Sequence, residues 1–198
     1  MTDSDATLRP ESTSSIAAEN APQLFRDAVE SMHSAVLRPE ISLGTIRPPQ
    51  RLAPLSHAIG LEVDSEVIDG DAFGRLILLH DPRSEDGWEG AFRLVAYIQA
   101  DMDASVANDP LLPEVVWDWL QESLAYSRAD YTNMAGTVTS TASVRFGDIG
   151  GPPRAFQLEL RASWTASEEH LTPHVQAFAK VLANAAGLPP VGVTELRR

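Results

Sequence analysis

From Ala91 to Asp103 the chain alternates, with Phe92, Leu94, Ala96, Ile98, Ala100 and Met102 set against Arg93, Val95, Tyr97, Gln99, Asp101 and Asp103. A period of two predicts a long strand with one buried face and one mostly polar face. Ile59, Leu61 and Val63 alternate with Gly60, Glu62 and Asp64 in the same manner. Phe73 to His80 instead carries the unbroken run Leu76-Ile77-Leu78-Leu79, which predicts burial on both faces and a central place in the sheet. Two later strands follow the alternating rule. Val138, Ala142, Val144 and Phe146 are expected to face inward against Thr137, Thr139, Thr141 and Arg145, and Phe156, Leu158, Leu160, Ala162 and Trp164 against Gln157, Glu159, Arg161 and Ser163. Ile41 to Ile46 can pair briefly at an edge.

Between the strands the period changes to that of a helix. Leu24, Phe25, Ala28, Val29, Met32 and Val36 share one face of a first helix that starts near Asn20, with Pro22 in its opening turn and Pro39 beyond its end. Asn108-Asp109-Pro110 is a turn, and a second helix runs from about Pro113 to Tyr126. The last begins at Thr172-Pro173, buries Val175, Phe178, Ala179, Leu182 and Ala186, and stops at Gly187. The fold class is α+β: a single, mostly antiparallel sheet of about five strands with helices packed on one face, in the order α-β-β-β-α-β-β-α.

Residues 1–19 are rich in Ser, Thr, Asp and Glu and read as a disordered tail, residues 20–191 as one globular domain, and residues 192–198 as a C-terminal tail. Arg47-Pro48-Pro49-Gln50-Arg51-Leu52-Ala53-Pro54 reads as an extended surface connector, because paired prolines disfavour both helix and ladder. The opening Met1-Thr2-Asp3-Ser4-Asp5 has neither the basic nor the apolar region of a signal peptide. No apolar run approaches the roughly 20 residues of a membrane span. The expectation is a cytoplasmic protein with no membrane partner.

Composition removes several chemistries. There is no cysteine, hence no thiol nucleophile, disulfide or thiolate metal site. Of 15 Lys and Arg residues only Lys180 is lysine, so an amine nucleophile has one candidate. A net charge of −13 would repel phosphates on average, which argues against nucleic acid as a partner.

The motifs are modest. Gly147 to Pro153 lacks the Lys-Ser/Thr ending and following helix of a phosphate loop and reads as a hairpin connection. His170 and His174 are four apart beside Glu168 and Glu169, but Pro173 places a helix start between them and splits the pair. Asp101, Asp103 and Asp109 are too few oxygens for a hard cation. No metal and no cofactor is expected. His80-Asp81, at the end of a central strand, is the one place where a general base could be poised, with Trp88 as a wall and Arg93 or Arg75 as a charge. The plainer reading has His80 closing its strand by hydrogen-bonding a loop. On the second helix, Val116, Trp119, Leu120 and Leu124 form the core stripe, while Val115 and Trp117 fall off it and suggest a protein contact, unless a broad face buries both tryptophans.

The runs Leu37-Arg38-Pro39-Glu40, Arg51-Leu52-Ala53-Pro54, Leu79-His80-Asp81-Pro82, Gly87-Trp88-Glu89-Gly90, Asp109-Pro110-Leu111-Leu112-Pro113-Glu114, Arg161-Ala162-Ser163-Trp164 and Ala186-Gly187-Leu188-Pro189-Pro190 resemble an actinobacterial family catalogued as domain of unknown function 3000. The resemblance covers about residues 22 to 191. It implies a cytoplasmic actinobacterial protein and brings no activity or catalytic residue with it. The order of elements is also similar to that of type III secretion chaperone-like folds, whose members are often acidic dimers, although no chaperone motif is present.

Two functional readings follow. In the first the chain is a non-catalytic protein-binding or regulatory module, homodimeric or bound to another protein through Val115 and Trp117. In the second it is a small-ligand binder or enzyme with a pocket around His80, Asp81, Trp88 and Arg93.

Overall fold

A computed structural model describes residues 12–83, 87–148 and 150–192, with side chains from residue 22 onward. The long alternating segment is a strand that forms the spine of the fold. The elements are α1 (Ser12–His33), β1 (Ile41–Thr45), β2 (Leu55–Val63), β3 (Ala72–His80), β4 (Phe92–Met102), α2 (Ala104–Ala107), α3 (Leu112–Ser127), β5 (Tyr131–Val144), β6 (Arg154–Ala166) and α4 (Thr172–Ala185). The strands make one sheet in the order β1-β2-β3-β4-β6-β5, every neighbour antiparallel. The fold is α+β, with six strands where the hydrophobic pattern predicts about five. The addition is β1, the brief edge pairing at Ile41.

Register sorts the side chains. Ile59, Leu76, Ala96 and Ala162 lie in one row across four strands, and Leu78, Leu94 and Trp164 in another. All seven are buried, and α1, α3 and α4 pack on this side. Phe178 of α4 is wholly buried at the centre, and its ring lies where a Cβ on Gly74 would stand, 2.6 Å from the nearest ring carbon. The opposite face bears Arg75, Tyr97, Glu159 and Arg161, with Tyr97 donating to Glu159 at 2.8 Å and the Arg161 guanidinium stacked over the Tyr97 ring. Ile46, just past β1, folds its side chain over Gly60 on that face.

The first and last helices are clasped together. Ser31 of α1 accepts the Leu171 N–H at 2.8 Å, and the Thr172 hydroxyl donates to the Ser31 carbonyl at 2.6 Å. The structure departs from the hydrophobic pattern in three places. α1 opens earlier than Asn20, so Pro22 lies inside it. A short α2 precedes the turn at Asn108. β5 begins at Tyr131, and the residues expected inward on it are only partly covered: Val138 is half-buried, whereas Ala142, Val144 and Phe146 are exposed, since only the four-residue α2 comes near that end. Most of the expected N-terminal tail (residues 1–11) and nearly all of the C-terminal one (193–198) lie outside the described residues. No described helix is long and apolar enough to cross a membrane.

Candidate functional site

His80 and Arg93 come from neighbouring strands but face opposite sides of the sheet. The register pairs His80 with Phe92 and Leu79 with Arg93, so the imidazole enters the helix-covered face and the guanidinium the other. His80 is buried, its ring stacked 4.3 Å from Phe92 and 6.0 Å from Phe25 of α1. Its Nδ1 meets the Ala91 carbonyl at 3.0 Å. A carbonyl only accepts, so Nδ1 carries the proton, and Nε2 is left buried without a hydrogen-bond partner among the described residues. Burial holds this imidazole below the usual histidine range, despite the Ala91 carbonyl and the nearby charges of Asp81 and Glu169. A neutral ring packed between two phenylalanines closes the strand, as the plainer reading has it.

Arg93 is occupied as fully on the other side. It donates to the Asn133 carbonyl at 2.7 Å, the Ser163 hydroxyl at 2.7 Å and the Thr165 hydroxyl at 3.1 Å. Asn133 has φ of 50° and lies in the register shift between Thr132 and Ala135, so Arg93 ties the irregular start of β5 to the sheet. Thr165 in turn donates to the Trp88 carbonyl, which holds the half-buried Trp88 loop on the Arg93 side. Asp81 accepts the Arg83 N–H at 2.9 Å in a local turn. The four residues are therefore divided between two faces and do not converge.

The His170 and His174 pair is divided as well. Pro173 lies in the first turn of α4 and His170 precedes the helix, exposed. His174 is buried, and its Nδ1 accepts the Trp164 indole N–H at 3.1 Å. Burial lowers its pKa to about 4. Asp101 is taken by the Asp71 N–H and the Gln157 amide, and Asp109 by the Leu111 N–H. Among the described residues no three His, Asp or Glu side chains gather at a metal-binding spacing.

The α3 flank has a different character. Leu112, Val116, Leu120 and Leu124 face the core. Trp119, expected among them, is half-buried and walls a cavity of about 710 Å³ together with Tyr126, Lys180, Leu188 and Pro189. Trp117 is half-buried too, and is not spare: a Cβ on Gly136 would stand 2.7 Å from its ring as well as against the Arg161 carbonyl of β6, so the glycine admits both the indole and the close approach of the strands. There a shallow cavity of about 340 Å³ is lined by Pro113, Glu114, Trp117, Asp118, Gly136 and Val138. Leu111, just before α3, is 62% exposed, and Val115, on the flank of the helix away from Trp117, is 39% exposed. The hydrophobic pattern along the chain does not reveal the Lys180 cavity. Its only signal was the lone lysine, whose ammonium rests 3.5 Å from the Tyr126 ring centre, followed by the Pro189-Pro190 pair.

A family model described as Protein of unknown function (DUF3000) matches residues 21–194. The chain belongs to this family. The match takes in every strand of the DUF3000 domain, α2, α3, α4 and all but the opening of α1. No curated protein and no solved structure matches the chain.

Proposed function

We propose that this DUF3000 chain is a non-catalytic protein-binding or regulatory module whose contact surface is the outer flank of α3 with the adjoining β5. The observation that carries this reading is the apolar surface of α3: Trp117 walls an open groove on the sheet edge with Pro113 and Val138, and Leu111 and Val115 stand exposed on the other flank of the helix. Exposed apolar groups on a chain of net charge −13, with Glu114 and Asp118 at the rim of the groove, have the apolar-centre, polar-rim character of a protein contact. The competing reading, a ligand pocket or active site at His80, Asp81, Trp88 and Arg93, loses support because the sheet separates His80 from Arg93 and each is already hydrogen-bonded.

The test is affinity purification from native cells with the wild-type chain and with the double variant L111E/V115E, both exposed positions. A partner retained by the first and lost by the second, with unchanged thermal melting, is the expected result. Identical partner sets would overturn the assignment of the surface.

A further inference from the structure

The two edges of the sheet are built differently. β1 has five residues and is followed at once by Ile46, Arg47, Pro48 and Pro49. Short length, charge and proline are the usual devices that stop an edge strand from pairing with another chain. β5 has none of these. Its 14 residues include no charged side chain and no proline. The register shift between Thr132 and Ala135 leaves Ala135 to Val144 in unbroken register with β6, and β5 pairs with no other strand. Such a run presents about 30 Å of open backbone donors and acceptors.

We propose that this edge is closed by a second copy of the chain, β5 against β5 and antiparallel, so that the two sheets become one. This rests on the reading of the α3–β5 surface as a protein contact and names its occupant. Two observations favour a second copy and a third permits it. First, a two-fold axis at Thr139 sets Thr139 opposite itself and Thr137 opposite Thr141, favourable cross-strand pairs, with Ala135 opposite Ser143. Second, the same axis explains the apolar residues left exposed at the end of β5. Ala142 of each copy falls opposite Gly136 of the other, so exposed Ala142 and Val144 come beside the second copy's Trp117 and α3 flank. Third, two chains of charge −13 repel over most of their surfaces, and β5 offers a seam free of charge. Glu114 and Asp118 stay apart from their counterparts, because the six-residue offset between the two Gly136 positions is about 20 Å, beyond the screening length.

The absence of cysteine makes the register directly readable. Sedimentation of the full chain over a range of about 1 to 200 µM, which brackets a micromolar Kd, should show a concentration-dependent dimer. The exposed double variant T137E/T141E should weaken it about a hundredfold, with unchanged circular dichroism and melting. Oxidised T139C should link to itself, since residues opposed across a strand pair lie about 4.5–5.5 Å apart at Cα, whereas T137C should link to T141C and not to itself. A chain that is monomeric at 200 µM (about the upper end of that range) would overturn the dimer, as would a dimer indifferent to T137E/T141E. Loss of the dimer leaves the wider reading to the L111E/V115E experiment in cells, so the two failures are distinguishable.

Discussion

His174 should make the fold acid-sensitive by an amount that follows from its surroundings. Its ring is buried against Trp164, and its Nδ1 lone pair is used by the indole N–H, so protonation would both desolvate a charge and break that bond. With a folded pKa of about 4 against 6.5 when unfolded, the unfolded chain binds a proton that the folded chain refuses. Stability from this group is therefore fully present above pH ~6.5, falls as pH drops, and levels off below pH ~4. Between pH ~7.5 and ~4.5 the loss should be about 2.5 kcal/mol, from 1.36 kcal/mol per unit of separation. His174→Asn keeps an acceptor near Nδ1 and cannot titrate in this range. Urea unfolding of both proteins across that window should give a steeper decline for the wild type by this amount. His57 and His80 are also held low, His57 by burial and by the His33 ring 2.9 Å away, but they are common to both proteins and cancel in the difference. Parallel pH profiles would refute the reasoning.

Two further substitutions probe packing within the domain. Gly74→Ala places a methyl against the Phe178 ring and should cost about 1–3 kcal/mol, recovered in part by adding Phe178→Leu; chemical denaturation checks both. Arg93→Met leaves the Asn133 carbonyl and two hydroxyls without their donor and should cost about 1.5–3 kcal/mol. Hydrogen exchange should then accelerate first around residues 131–135, at the register shift, and uniform acceleration across the sheet would count against that role for Arg93.

The elements were legible because each period is written locally. Phe92–Met102 alternates over its whole length, and the four-residue run in β3 carries its own indication of a central strand. Partnership across the sheet is not local. Val138, Ala142 and Val144 have the inward parity expected of them, but whether a helix lies above depends on where α3 ends up over β5. Trp117 falls off the core stripe of its own helix, and only Gly136, far along the chain, makes room for it. His80 and Arg93 lie at facing ends of consecutive strands, which suggests neighbours. The alternation of β4 already sets Arg93 on the polar face, but the unbroken apolar run of β3 hides the face of His80, which register alone settles.

α4 is synthesised after all six strands, yet it supplies the middle of the core through Val175, Phe178 and Leu182. Until it emerges from the ribosome, the apolar face made by Leu76, Leu78, Leu94 and Ile98 has no complete cover, and Ser31 has no Leu171 to hold. At about 5–20 residues per second, the nascent sheet stays bare for seconds. Packing of the last helix thus becomes the step that converts a sticky half-domain into a protease-resistant one. Chains released before Thr172 should survive in the cell only as long as a chaperone holds that face.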